Sequence, residues 1–366
     1  MNKPVKIAGY TSIILDSLRI LAALIVLVFH MFYHWFHPLT MAYKLDDIAH
    51  AAVIIFFVLS GYLISYTTTT NNRGSSKYFQ ARFSRLYSVV VPALIVTALC
   101  ELVLKAIQPE IYASFTRGAS LPRYIISGLF MNEIWFFSAA PPMNGPLWSL
   151  SFEFWYYVIF GLWMYKKKGI LSYIIPIIGC LIAGPKILLM MPVWLMGYLA
   201  FRIQRVNINN TVAWLLFVLM FFMAFFLITS ISPLPYKLGT PPWYFSAQFF
   251  TDWIIGFCIG FALWIMPKDT TAKTSGWING IRIAADLTFP IYVLHNPILI
   301  LWDAIFINHI KDVSQLWQPT LSVLAVTAII GFLLEKQRYI WINLFRNLFN
   351  QLKKIITYLK PAPNVK

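Results

Sequence analysis

The stretch GPLWSLSFEFWYYVIF, residues 145–160, places one carboxylate inside a run of aromatic and aliphatic side chains. An ionised carboxylate is costly to move out of water, so Glu153 indicates a polar interior shared with other segments. Of the 366 residues, 59% are hydrophobic and only 11% are charged. That balance lies far outside the range of soluble globular domains and predicts an all-α, polytopic membrane protein.

Ten apolar runs are long enough to cross a bilayer, which takes about 20 residues per helix. They cover residues 12–36, 47–68, 84–107, 146–165, 169–185, 186–203, 211–231, 246–267, 280–306 and 317–335. Lys and Arg gather in alternate connections between these runs, and the positive-inside rule assigns such connections to the cytoplasm. We therefore predict ten spans with both chain ends inside. The net charge of +16 then reflects membrane topology rather than a nucleic-acid partner.

No internal repeat or low-complexity linker divides the chain. We predict a single ten-helix domain over residues 1–350 and a basic cytoplasmic tail over 351–366. The longest loop, 108–145, falls outside and is rich in aromatic residues and proline. Such a loop lies on the membrane surface or dips back into the bundle, where irregular backbone needs protein or water around it. The three cysteines stand in no metal-ligand spacing, and no metal site is predicted.

Two ionisable residues of the first span share one helix face. Arg19 and His30 are eleven residues apart, almost three helical turns, so their side chains point the same way about 16 Å apart. Asp16 precedes Arg19 by three residues and is placed to pair with it. That pairing leaves His30 unexplained. Because ionisable groups inside a membrane mark functional sites by default, Arg19 and His30 are candidate catalytic residues.

Glu153 lies seven residues into the fourth predicted span, about 10 Å deep. His30 lies at a similar depth, counted from the outer end of the first span. A carboxylate at that depth is placed to orient an imidazole and to stabilise its protonated form, as in acyl-transfer triads. We therefore predict that Glu153 pairs with His30.

A basic pair, Arg82 and Arg85, stands three residues apart at the predicted start of the third helix. Guanidinium groups at that spacing are placed to converge on one phosphorylated ligand that arrives from the cytoplasm. The neighbouring Arg73 and Lys77 fit ordinary positive-inside charge. The sequence has no P-loop and no dinucleotide glycine fingerprint, so basic side chains would have to hold a nucleotide.

Helices two and nine add further polar candidates. Ser60, in FFVLSGYLIS, is placed to hydrogen-bond across a helix interface that the following glycine keeps close. In DLTFPIYVLHNPILI, Asp286 and His295 fall on opposite helix faces unless Pro290 kinks the helix between them. His30 is therefore preferred over His295 as the catalytic histidine.

Together these features resemble the acyltransferase-3 family of integral membrane acyltransferases. The resemblance covers essentially the whole chain and rests on five motifs in order: the Arg–x10–His spacing of Arg19 and His30, FFVLSGYLI, Arg82-x-x-Arg85, GPLWSLSFEFWYY and FPIYVLH. It implies transfer of an acyl group, most often acetyl, from cytoplasmic acyl-CoA to a hydroxyl of a saccharide or lipid-linked glycan. It also implies a bacterial inner membrane as the location.

Roles for individual residues follow from the same resemblance. It implies that His30 is the essential histidine with Arg19 as its partner, and that Arg82 and Arg85 lie near the CoA. Glu153 corresponds to the acidic residue of the family's fourth-span motif. A transient acyl-histidine is compatible with these roles.

We further predict Ser60 at the donor site, and Trp148 and His295 at the acceptor site. Thr288 and Phe289 stand where many family members have a serine and a tyrosine, so the role of that tyrosine is not carried over.

Two other interpretations of the same residues stay open. One is a proton-coupled secondary transporter for a saccharide-like solute, in which Arg19, His30 and Glu153 form a proton relay. The other is a structural membrane subunit. Neither assigns a task to the paired arginines of the third helix, and the sequence predicts no oligomeric state.

Overall fold

The computed structural model of the chain describes residues 7, 9–42, 44–267, 276–306 and 309–358. Within these residues every regular element is a helix. The α-helices are α1 (Gly9–Ala42), α2 (Leu45–Thr70), α3 (Ser75–Ile107), α4 (Pro109–Phe115), α5 (Ser120–Gly128), α6 (Trp148–Met164), α7 (Ile174–Ala183), α8 (Pro185–Arg202), α9 (Asn210–Ser230), α10 (Phe249–Ile265), α11 (Gly276–Ile305) and α12 (Trp317–Tyr358).

Long apolar helices dominate this architecture. Among the described residues, six helices are long and apolar enough to span a membrane, or seven if the bent pair α7 and α8 forms one span. Each of the ten predicted runs contains an α-helix. The all-α, multi-pass character of the fold is thereby supported, whereas the count of ten spans and the cytoplasmic position of both ends stay predictions.

The predicted span over 169–185 does not form one full-length helix. Its first residues, Ile170–Tyr173, form a separate 3-10 turn, and the ten residues of α7 extend only about 15 Å, half the hydrocarbon core. At Gly184 the chain turns by 112° into α8. This glycine has a φ of 80°, and a Cβ there would lie 2.6 Å from the backbone of Trp135. The bend is therefore packed against the long loop 108–145.

The third helix begins earlier than the sequence predicts. α3 starts at Ser75, so Arg82 and Arg85 lie on its second and third turns rather than at its N-terminus. Gly74 precedes the helix at a positive φ of 85°, a conformation that glycine adopts without strain. The two arginines are consequently held on rigid helix.

The last helix continues beyond the predicted boundary at residue 350. α12 has 42 residues and includes much of the segment predicted as a tail; residues 359–366 of that segment lie outside the described residues. Phe345, five residues before that boundary, is buried and has ring contacts to Phe83 and Tyr87 of α3. Aromatic packing against α3 therefore holds α12 in the turns before that boundary.

A glycine contact fixes the centre of the bundle, where α2 meets α8. A Cβ on Gly61 would lie 2.0 Å from the carbonyl oxygen of Trp194, and a Cβ on Gly197 would lie 1.8 Å from that of Val58. The glycine of each helix therefore packs directly against the backbone of the other helix. Small residues at such an interface allow two membrane helices to approach closely.

Replacing either glycine should destabilise the bundle. In Gly61→Ala or Gly197→Ala the new methyl group overlaps backbone, and we expect a loss of at least the ~1–3 kcal/mol typical of overpacking. Thermal unfolding in detergent measures the effect. Gly280→Ala is the control, since a Cβ on that helical glycine meets no atom within 4 Å. Equal melting temperatures for all three variants would contradict the proposed close approach.

Candidate active site

Three of the cavities among the described residues are lined by candidate site residues, and their volumes are about 400, 70 and 530 Å³. The first, the histidine cavity, is lined among others by His30, His34, His50, Ser138, Trp148 and Asn296. The second, the arginine cavity, is lined among others by Arg19, Ser60, Arg82, Arg85, Glu153 and Tyr157. The third, the basic vestibule, is lined among others by Arg73, Lys77, Arg82 and Arg338.

These cavities adjoin one another in series. Arg82 lines both the vestibule and the arginine cavity. Val53 and Tyr292 line both the arginine cavity and the histidine cavity. The Tyr292 hydroxyl lies 2.7 Å from Ser149 Oγ and donates to the Pro146 carbonyl oxygen at 3.2 Å. The tyrosine is therefore held in place at the boundary between the two cavities.

Glu153 is surrounded by hydroxyl donors. Ser60 Oγ donates to Glu153 Oε1 at 2.8 Å, and the Tyr157 hydroxyl donates to the same oxygen. Trp194 Nε1 in turn donates to Ser60 Oγ at 3.2 Å, which links α2, α6 and α8. The prediction that Ser60 hydrogen-bonds across a helix interface is confirmed. These donors, together with the arginines that line the same cavity, solvate the carboxylate in place of water.

The predicted pairing of Glu153 with His30 is wrong. The hydrogen-bond partners of Glu153 are Ser60 and Tyr157, and it lines the arginine cavity, whereas His30 lines the histidine cavity. Similar depth along two helices gives no information about which faces the helices turn toward each other. Glu153 instead shares its cavity with Arg19, eleven residues before His30 on α1.

His30 is held by another histidine. His295 Nδ1 lies 3.1 Å from the Ile291 carbonyl oxygen, which only accepts, so Nδ1 carries the proton of the neutral ring and Nε2 carries the lone pair. His30 Nδ1 lies 2.8 Å from the Val26 carbonyl oxygen and 3.2 Å from His295 Nε2, so it donates to these acceptors. Its Nε2 is then left as a base without a partner among the described residues. His295, predicted at the acceptor site, is fully buried behind His30.

The predicted arginine pair lines one cavity. Arg82 donates to Thr67 Oγ1 at 2.7 Å and lies 5.8 Å from the ring centres of both Tyr78 and Tyr157. Arg85 lines the arginine cavity alongside it. Two guanidinium groups that face one space suit an anionic ligand.

Arg19 supplies a third cation to the arginine cavity. It lies 3.8 Å from Asp16, which confirms the predicted pair on α1. That carboxylate therefore offsets part of the positive charge near this end of the cavity.

Trp148, also predicted at the acceptor site, lines the histidine cavity but is only 5% exposed. Its indole stacks on Phe245, with ring centres 4.4 Å apart, and on His50, with ring centres 5.6 Å apart. Phe57 and Phe152 meet the indole edge-on. The ring is enclosed by these neighbours rather than open for stacking.

The long loop dips into the bundle and carries a buried ion pair. Lys186 Nζ donates to Glu133 Oε2 at 2.6 Å and to the Phe137 carbonyl oxygen, and both charged side chains are fully buried. Ser138 Oγ donates to Glu133 Oε1 at 3.0 Å and lines the histidine cavity. Of the two predicted positions for the loop, the structure thus favours the one inside the bundle.

The loop is also tied to α11. Pro297 lacks the N–H that would otherwise bond the Val293 carbonyl oxygen, and Asn144 Nδ2 donates to that oxygen at 2.9 Å. Asn296 Nδ2 donates to the Met143 carbonyl oxygen at 2.9 Å. The loop therefore forms a fixed wall of the histidine cavity.

Sequence reasoning missed several buried polar residues of this region. His50 and Asp252 form a buried pair, with 3.1 Å between Nε2 and Oδ2. Both lie inside predicted spans, so the rule that flagged His30 applied equally to them. Lys186 stands at the boundary between the predicted spans 169–185 and 186–203, and Glu133 has no sequence signal that it is buried.

Breaking the ion pair from one side should be costly. Lys186→Met leaves the Glu133 carboxylate buried without a cation, and we expect a loss of about 3–5 kcal/mol. Thermal unfolding in detergent checks this. The double variant Glu133→Gln/Lys186→Met removes both charges and should recover most of the stability, while Lys311→Met, at an exposed lysine, serves as control. A double variant as unstable as the single one would contradict this pairing.

Comparison with known proteins gives one family and one relative. Residues 13–336 match the family described as Acyltransferase domain. An O-acetyl transferase of Shigella phage Sf6 is 27% identical over 194 residues, which cover 49% of this chain and 56% of the relative. The matched region thus spans little more than half the length of that relative. No solved structure matches the chain.

Proposed function

The chain belongs to the acyltransferase-3 family, and on that premise we propose that it transfers an acyl group, most simply acetyl, from acyl-CoA to a hydroxyl group of a saccharide. The observation that carries the proposal is the series of three cavities. The vestibule at one end of this series is lined by cationic groups, and the histidine cavity at the other end contains His30 with a free basic nitrogen. The relative from phage Sf6 bears the name O-acetyl transferase, which supports acetyl as the group transferred.

The donor is proposed to enter through the basic vestibule. Acyl-CoA has a bulky, highly anionic nucleotide end and a long linear arm, and the vestibule has about 530 Å³ for the former. The arginine cavity has the smallest volume of the three, about 70 Å³, and is proposed to take the arm. Arg82 and Arg85 would hold phosphate oxygens, because guanidinium groups bind them with paired hydrogen bonds. Arg19 and Ser60 would contact the arm near the thioester.

The acyl group would meet the acceptor beside Tyr292. In the proposed step, His30 Nε2 takes the proton of the acceptor hydroxyl, whose oxygen attacks the thioester carbon. The carbon–sulfur bond breaks, and the proton passes to the CoA thiolate. His295 Nε2 accepts the hydrogen bond of His30 Nδ1 and so stabilises the imidazolium while it exists. Glu153 is proposed to balance the charge of the arginines rather than to orient His30.

The membrane arrangement is part of the proposal. Ten spans with both ends in the cytoplasm would place the vestibule at the cytoplasmic face of a bacterial inner membrane, where acyl-CoA is made. The histidine cavity would then face the opposite side and admit a saccharide or a lipid-linked glycan. An acyl group that moves along this series crosses the bilayer without its charged carrier.

Release of CoA from acetyl-CoA by the purified protein tests the reaction. His30→Gln should lower the rate by about 10²–10⁴-fold, the usual contribution of a general base. Crude bacterial envelope saccharide serves as acceptor. A His30→Gln variant with undiminished release would exclude the catalytic role of this residue.

The donor site has a sharper test of its own. Arg82→Met and Arg85→Met should each raise the KM for acetyl-CoA by about tenfold or more, since a charged hydrogen bond is worth about 1.5–3 kcal/mol. With S-acetylpantetheine, which lacks the nucleotide, the same variants should differ little from the original protein. Arg346→Met, at an exposed arginine of α12, is the control. Equal losses with both donors would contradict phosphate binding by this pair.

Absence of any acetyl-CoA binding or CoA release would instead favour the transporter. His30 and Glu153 would then be the proton carriers of the relay and Arg19 its fixed cation, and uptake or export of a saccharide would follow the proton gradient.

A further inference from the structure

A second histidine lines the histidine cavity and is oriented by a buried carboxylate. His50 Nε2 lies 3.1 Å from Asp252 Oδ2, and their side chains are 2% and 0% exposed. Gln248 Nε2 donates to Asp252 Oδ1 at 3.2 Å. Both carboxylate oxygens therefore have a donor, although Asp252 is sealed from water.

The proton arrangement of His50 follows from this geometry. An ionised carboxylate only accepts, so the hydrogen bond to Asp252 assigns a proton to His50 Nε2. In the neutral ring Nδ1 then carries the lone pair, and it has no hydrogen-bond partner among the described residues. The Nδ1 of a histidine held in this way can accept a hydrogen bond from an O–H or N–H group of a ligand.

Aromatic packing keeps the His50 ring from turning away. Its plane lies 12° from that of Trp148, which is itself stacked on Phe245 with 3° between the planes. The imidazole is thus clamped between a stacked ring at its face and a carboxylate at its edge. Such a side chain loses little further freedom when it binds a ligand, which favours tight and selective contact.

We propose that His50 binds a hydroxyl group of the acceptor in the histidine cavity and thereby sets the position of the acceptor relative to His30. Asp252 is the positioning residue that holds the ring and its tautomer. The inference rests on the proposed function, because it names a contact within the same transfer reaction.

A polyhydroxylated ring is the ligand that this cavity suits. A saccharide offers neighbouring hydroxyl groups, one of which donates to His50 Nδ1 while another is presented to His30 Nε2. Both histidines line one cavity of about 400 Å³, large enough for a sugar unit. The two histidines have different roles. His30 takes the proton of the reacting hydroxyl group, and His50 fixes the position of the sugar ring.

The test separates acceptor binding from donor chemistry. Purified protein is assayed for CoA release from acetyl-CoA with water alone and with a panel of methyl glycosides of hexoses and 6-deoxyhexoses. His50→Gln keeps an N–H group that reaches Asp252 but loses the Nδ1 lone pair. We expect the KM for the best glycoside to rise about tenfold, while acetyl-CoA hydrolysis by water stays within about twofold of the original protein.

Asp252→Asn tests the orienting contact. The amide can donate to His50 Nε2 and so move the ring proton to Nδ1, which turns the proposed acceptor nitrogen into a donor. We expect a similar rise in the glycoside KM, and the double variant His50→Gln/Asp252→Asn should add little to either single change because both act through one contact. His309→Gln, at an exposed histidine, is the control.

Each remaining outcome would overturn the inference. An unchanged glycoside KM in His50→Gln would show that this side chain does not bind the acceptor. Equal losses of hydrolysis and transfer would assign His50 to the donor reaction or to folding, which size-exclusion chromatography of each variant distinguishes. No stimulation of the original protein by any glycoside would exclude a saccharide hydroxyl as the ligand. No CoA release at all would instead remove the proposed function itself.

Discussion

An ionisable side chain persists inside an apolar helix bundle only where other polar groups replace the water it has lost. Glu153 meets this condition through the hydroxyl groups of Ser60 and Tyr157, and Lys186 through Glu133. Because the contacts with Ser60 and Glu133 cross from one segment to another, satisfying these groups also fixes the arrangement of the helices. The polar side chains therefore gather into one connected interior, while helices such as α9 present mostly apolar surface to their surroundings.

That interior separates two kinds of chemistry. Cationic groups that suit phosphate oxygens line the vestibule and the arginine cavity, and titratable imidazoles line the histidine cavity, together with Arg117 and Arg123. Tyr292 stands at the boundary, tied to Ser149 and to the Pro146 carbonyl oxygen. A reaction between a charged donor and a neutral acceptor needs such a division, because the donor is held by charge and the acceptor by directed hydrogen bonds. The loop 108–145 completes the division by forming one wall of the histidine cavity.

Local sequence features predicted the elements well and their mutual contacts poorly. Apolar length located a helix in every predicted run, because a chain in a bilayer must satisfy its backbone hydrogen bonds internally. The spacing of Asp16 and Arg19 correctly predicted their pair, since both lie on one helix. The partner of His30 was missed because it depends on how α1 and α11 are rotated about their axes. The burial of Glu133 was also missed, because it depends on a loop that folds back on the bend at Gly184.

Sidedness is the most direct test of the central claim that donor and acceptor reach the reaction from opposite ends of the cavity series. The protein is reconstituted into sealed vesicles with a methyl glycoside trapped in the lumen and labelled acetyl-CoA added outside. We predict labelled acetyl glycoside in the lumen, formed by molecules whose vestibule faces the medium, and formation at least about a hundredfold slower with His30→Gln. Formation of the product only when donor and acceptor share one side of the membrane would contradict the claim.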